Sequence, residues 1–401
     1  MGVVTPLMWK SLDICSKFYA HLWANPVEWD VEGKKFITTK PAELITYYLI
    51  VFVMLIPLLL LCIVILSAEI YGRVDLSMVE VTLVIFWAAN TGFAVLLELI
   101  MLVYARNISH ALNCAISLER KVPKQGHQLA PRIDLVGLYL NGSVLAFIIY
   151  PAFTIVSLIL IPMDLDPYIL TCRYLLSTDS FRSICIKGHP LALVLLILPF
   201  TQICYLFTYM VCFGTMRNHL LLTCLNYLHK TRRRILWNLR CFVFYKYFSA
   251  YAGIQIALQV APAAFGGFLL ALMAFGLLIG IMCNFVTLKM QMLIPAPFYY
   301  VFPTLSILVV VIIRVMLPMM ISVYEVAKEL HFGWERSLGV ARNVTYLRRK
   351  VRSIRTVRLE GELFHFKFYK LQRSTMPLFS AALVNYTITA LLSFDTGNVV
   401  S

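Results

Sequence analysis

Seven mostly apolar runs recur along the chain, at 45–68, 79–105, 134–162, 188–215, 262–288, 296–324 and 376–395, each near the ~20 residues a helix needs to cross the hydrocarbon core of a bilayer. In lipid a spanning segment has no water to bond, so it must pair its own backbone groups, and a lone apolar run does this only as an α-helix. The runs therefore predict an all-α, polytopic membrane protein with seven transmembrane helices. The alternative, a large buried core, fails on charge. Only 14% of residues are charged and 60% are hydrophobic, whereas a soluble domain carries about 25% charged residues to face water. An eighth apolar stretch at 241–260 is interrupted by Lys246 and is read as an extension outside the membrane that runs into the fifth span.

Positive charge orients the bundle. Five Lys/Arg precede the first span, and the second, fourth and sixth loops hold five, seven and twelve; the loops on the other side hold five in all. Lys and Arg collect in cytoplasmic loops, so the N-terminus is predicted to be cytoplasmic and the C-terminus extracellular. The net charge of +15 then belongs to the cytoplasmic face, and no nucleic-acid partner is expected. A G-protein-coupled receptor has its N-terminus outside. The sequence also lacks an Asp-Arg-Tyr-like triplet closing the third span and an Asn-Pro-x-x-Tyr in the seventh. A transporter would carry inverted repeats with broken helices at mid-membrane, and the two halves of this chain do not resemble each other.

No convergent set of titratable groups, metal-ligand spacing or Gly-rich phosphate loop emerges, so neither an enzyme, a cofactor nor a metal is expected. Two charges do lie inside spans at similar depth, Glu98 and Arg314. A charge in hydrocarbon is costly unless paired, which predicts a Glu98–Arg314 ion pair facing the bundle interior. Cys172 and Cys185 fall in the one sizeable outer loop, where an oxidising environment permits a disulfide.

The seventh run carries Tyr386, Thr387, Thr389 and Ser393 and reaches its outer end at Leu392, Phe394 and Asp395. Hydroxyls on a helix are satisfied by bonding back to their own backbone, or they line a wet path when several copies surround an axis, with Asp395 forming a ring of carboxylates. In the outer halves of the other spans, Trp87, Asn90, Tyr150, Phe153, Thr154, Gln202, Tyr299 and Thr304 supply apolar walls with a few polar groups, as a small-molecule site requires. The twelve Lys/Arg and the aromatics of the sixth loop suit either anionic membrane lipid or a folded cytoplasmic subdomain.

The inverted seven-span topology, the long basic extensions and a closing region running from Glu325 through Arg348–Arg349–Lys350 and Lys370–Leu371–Gln372–Arg373–Ser374 into the last span together resemble the arthropod gustatory and odorant receptor superfamily. Gustatory receptors typically carry Thr-Tyr, five residues, then Gln-Phe. Here Tyr386-Thr387, five residues, then Ser393-Phe394 keeps the spacing with the first pair transposed and Ser in place of Gln, which leaves gustatory and odorant subclasses open. The resemblance implies a homo- or heterotetrameric, ligand-gated, non-selective cation channel in the plasma membrane of sensory cells, acting alone or with a co-receptor on a small-molecule tastant or odorant. It also implies a division of the chain: a cytoplasmic segment (1–44), a ligand-sensing bundle (45–215), anchor segments (216–261 and 325–375), two further spans (262–324), and a pore-lining helix with an external tail (376–401).

Overall fold

The computed structural model describes residues 4–121, 134–160, 167–175, 189–237, 241–340, 345–354, 356–357, 359–363 and 366–393. Seven helices among them are long and apolar enough to cross a membrane, at Pro41–Ile70, Met78–Lys121, Leu135–Thr154, Leu195–Thr231, Pro262–Lys289, Ala296–Arg336 and Thr375–Ser393. They coincide with the seven apolar runs, but the second, fourth and sixth continue well past their apolar parts at the end that bears the basic loops.

Local chemistry explains several boundaries. The first spanning helix stops where Gly72 adopts φ +64°, a left-handed conformation that costs glycine nothing and lets Arg73 N–H bond back to Ala68 O at 2.9 Å. Ser77-Met-Val-Glu80 then opens the second as a reciprocal cap. Ser77 Oγ accepts from Glu80 N–H at 3.3 Å while Glu80 Oε2 accepts from Ser77 N–H at 2.8 Å. Pro262 starts the fifth helix, where its missing N–H costs no hydrogen bond. The stretch 241–260 is a helix, Cys241–Gln259, but it does not run into the fifth span as expected: the chain leaves the helix at Val260 and Ala261 before Pro262 starts the next one.

The fourth helix, His189–Trp237, is the spine of the bundle and packs on the second, third and sixth. One core cluster surrounds its middle. A second, built on Leu225, Tyr251, Val323, Leu330, Trp334 and Val351, sits at the basic end. The long extensions and the Cys241–Gln259 helix therefore form a packed subdomain beyond the spanning part, rather than loose loops.

The all-α class holds, and two short antiparallel hairpins join the helices. The strands β1 (Val27–Asp30) and β2 (Lys35–Thr38) pair Trp29 with Phe36. With the helix Pro6–Tyr19 they clamp the N-terminal segment to the bundle. Trp9 stacks on Trp29 at 5.5 Å, Phe36 meets Phe213 at 4.8 Å, and Tyr19 meets Tyr205 at 4.4 Å. The second hairpin, β3 (Glu360–Leu363) with β4 (Phe366–Lys370), packs on the fifth helix, where Tyr369 OH donates to Leu269 O at 3.1 Å. Burial pushes the Tyr369 phenol up from its ordinary value, so it remains a donor. Strands of four or five residues produce an alternation too brief to stand out beside spanning runs.

Candidate functional site

Positions 200, 203, 204 and 207 lie on one face of the fourth helix, because residues three, four and seven apart stack on the same side. Phe200, Ile203, Cys204 and Phe207 accordingly line a cavity of ≈ 30 Å³ with residues of the second, third, fifth and sixth helices. It lies in the half of the bundle away from the basic loops. Its wall is aromatic: Phe207 stacks with Phe147 at a centroid distance of 5.6 Å and meets Phe275 tilted at 5.1 Å, and behind them Phe93 stacks on Phe207 at 5.0 Å and lies face to face with Phe275 at 4.0 Å. Two polar side chains reach it, and both donate to backbone. Asn90 Nδ2 donates to Phe86 O at 2.7 Å, and Tyr150 OH donates to Val301 O at 2.7 Å. What such a wall offers a ligand is shape and dispersion, with little call for hydrogen bonding.

Of the eight expected binding residues, Asn90 and Tyr150 line this cavity. Trp87 stands behind it, packed on Phe200 at 5.5 Å. Thr154 is buried with its hydroxyl unpartnered among the described residues. Phe153 and Thr304 are exposed, and Tyr299 OH donates to Thr287 O at 2.8 Å. Gln202 is in a different place. It lies on the other side of the fourth helix, where it accepts from Trp23 Nε1 at 2.6 Å and donates to Asn25 Oδ1 at 3.2 Å and to Glu98. Phe207 and Phe275 lie deeper than the outer halves of their spans, which is why a search confined to those halves misses them; the 200/203/207 spacing is the signal that finds the first.

The expected Glu98–Arg314 pair does not form. Glu98 is fully buried, and its two carboxylate oxygens accept from Tyr47 OH and Gln202 Nε2. Arg314 is exposed, on the face of the sixth helix that carries exposed Ile307, Val310 and Val311. Equal depth in two helices says nothing about azimuth. Two hydrogen-bond donors, Tyr47 on the first helix and Gln202 on the fourth, take the place of a cation, and the N-terminal segment holds Gln202 in turn through Trp23 and Asn25.

The last helix, Thr375–Ser393, touches the bundle along one line. Phe379 and Thr387 are buried, Leu383 lies over Gly280, and Asn284 Nδ2 donates to Thr387 Oγ1 at 3.4 Å while Lys289 Nζ donates to Leu391 O at 3.0 Å. Tyr386, Thr389, Leu392 and Ser393 face outward. The hydroxyls bond back to their own helix, Thr387 to Leu383 O at 2.7 Å, Thr389 to Asn385 O at 3.0 Å and Ser393 to Thr389 O at 2.8 Å. Each oxygen keeps its acceptor capacity, so Asn385, Thr389 and Ser393 form an open polar stripe at four-residue spacing. Phe394 and Asp395 lie outside the described residues, as do Cys185 and the side chain of Cys172, the two halves of the expected disulfide.

No family model matches the chain, and no characterised protein matches it by sequence. Its structure matches that of the insect olfactory receptor OR5 from Machilis hrabei, solved in complex with eugenol, at a TM-score of 0.56 and 12% identity, covering 96% of this chain and 97% of that one. A second structure of the same receptor matches over the same shares with a TM-score of 0.54. With agreement over nearly the full length of both chains and seven helices apolar enough to span a membrane, the chain has the seven-helix membrane fold of the insect olfactory receptor.

Proposed function

We propose that the chain is a subunit of a tetrameric, ligand-gated, non-selective cation channel of chemosensory type, in which four copies of the last helix surround the ion path. The observation that carries this reading is the last helix itself. It is supported on one side, and it leaves the Asn385, Thr389 and Ser393 stripe with Tyr386 and Leu392 open. Hydroxyls and amides have no use against lipid tails, whereas around a four-fold axis they face water. Phe394 and Asp395 would close the outer end of the path, the carboxylates concentrating cations. The 29 to 5 split of Lys/Arg between the two faces supports a cytoplasmic N-terminus. The packed basic subdomain would anchor the subunits in the cytoplasm, and the plasma membrane of a sensory cell is the corresponding location.

The aromatic cavity is the proposed ligand site, with Asn90, Tyr150, Phe200 and Phe207 at the wall. The similar receptor was solved with eugenol, a small aromatic molecule, and stacked Phe rings suit that class. At ≈ 30 Å³ the cavity is small, near the size of a single water. A tastant or odorant therefore has to select an expanded state, and its apparent affinity is reduced by the rarity of that state. The test is patch-clamp recording from cells expressing the chain, alone and with a co-receptor, during application of sugars, bitter compounds and volatile organics. Ligand-gated cation current in the parent, blocked in Ser393→Cys by an externally applied charged thiol reagent, is the expected result. Responses seen only as G-protein signalling, or a current in Ser393→Cys that the reagent leaves intact, would overturn the proposal.

A further inference from the structure

Arg217 lies on the fourth helix, near the basic end, and is only 4% exposed. Among the described residues its guanidinium makes no hydrogen bond or ion pair, and its one contact of note is the face of Phe265, 3.6 Å away. Attraction to a ring is small beside the cost of stripping water from a charge. Buried cations are ordinarily matched by a carboxylate. Here none is found among the described residues, although the guanidinium has five donors to place.

Two cavities meet at this side chain. The first, ≈ 50 Å³, is apolar and includes Met210, Met316, Met320 and Phe268. The second, ≈ 600 Å³, is polar, and Gln255, Gln259, Thr356, Glu360 and Lys367 line it along with Arg217. Arg217, Phe265, Leu269 and Leu359 are common to both. Among the described residues the one carboxylate on the polar wall is Glu360, which already accepts from Lys367 at 2.5 Å. One positive charge is left over, on Arg217, and it stands where the polar space opens onto the apolar one. Methionines around the apolar space can repack to admit a chain.

We propose that this junction is a binding site for an anionic amphiphile: an oxyanion head, phosphate or carboxylate, sits on the Arg217 guanidinium in the polar cavity, and its apolar chain enters the methionine-lined cavity. A planar guanidinium binds two oxygens of such a head side by side. The lining carries amides and a hydroxyl for the remaining oxygens. The site is separate from the aromatic cavity and does not depend on the channel reading, since its occupancy can be read from stability alone.

The full chain, purified in a zwitterionic detergent, is melted with and without three probes: dioctanoyl phosphatidic acid, dioctanoyl phosphatidylcholine and inorganic phosphate. Saturating phosphatidic acid is expected to raise the Tm by about 3 °C or more, as specific binding to the folded state does, with no rise from phosphatidylcholine. A rise from phosphate of the same size assigns the site to a free anion and removes the apolar half of the proposal. Arg217→Gln should abolish the phosphatidic acid shift. Should that variant fail to fold, Arg217→Lys, which keeps charge but not the paired donors, should reduce the shift, and Met320→Trp, which fills the apolar cavity, should reduce it for phosphatidic acid. Equal shifts from phosphatidic acid and phosphatidylcholine, no shift from any probe, or a full shift in these variants would overturn it.

Discussion

Glu98 shows how a single buried carboxylate can be read correctly in kind and wrongly in partner. That an ionisable residue in the second apolar run must face inward was legible, because lipid excludes the alternative. Its partners were not, because Tyr47 and Gln202 come from two distant parts of the chain, and Gln202 is itself held by Trp23 and Asn25 from a third. Removing the carboxylate strands Tyr47 OH and one of the two N–H groups of Gln202 Nε2, at about 1–3 kcal/mol for each stranded donor. Thermal unfolding of Glu98→Ala in detergent should therefore show a clear loss of stability, with Glu98→Gln intermediate because it retains one acceptor. Arg314→Ala should melt with the parent, and the double variant should equal the sum of the single ones within about 0.5 kcal/mol. A larger coupling would mean that the two residues do interact.

At the scale of elements, the positions of all seven spanning helices were within reach of the sequence, because in lipid the length and hydropathy of a run outweigh every other preference. The hairpins were not, since strands of four or five residues depend on pairing with distant aromatics. The last helix is the element held least securely. Gly280 of the fifth helix packs under Leu383 of the last, and a Cβ there would lie 2.9 Å from a methyl of Leu383. Alanine is tolerable if Leu383 turns aside, but Gly280→Val adds a branch that the contact has no room for, and such overpacking costs about 1–3 kcal/mol. The expected outcome is normal amounts of folded subunit with reduced or altered ligand-gated current, measured as single-channel conductance beside surface labelling. Unchanged conductance would show that the last helix keeps its position by contacts other than this one.

For the whole molecule, the charge split makes a claim about sidedness that the helices alone do not. An epitope at the C-terminus should be accessible to antibody on intact cells and one at the N-terminus only after permeabilisation. The reverse result would return the chain to the orientation of G-protein-coupled receptors. One further consequence lies in the fourth helix, which runs unbroken from His189 to Trp237 with Pro199 inside it. Phe200, Cys204 and Phe207 at the aromatic cavity and Arg217 at the junction of the two lower cavities stand on this one rod. From Pro199 to Trp237 is about 57 Å at ~1.5 Å per residue, so a tilt of about 5° at the proline moves the far end by about 5 Å. The helix is a lever arm: a small opening among the Phe rings becomes a displacement several times larger where the basic subdomain is packed.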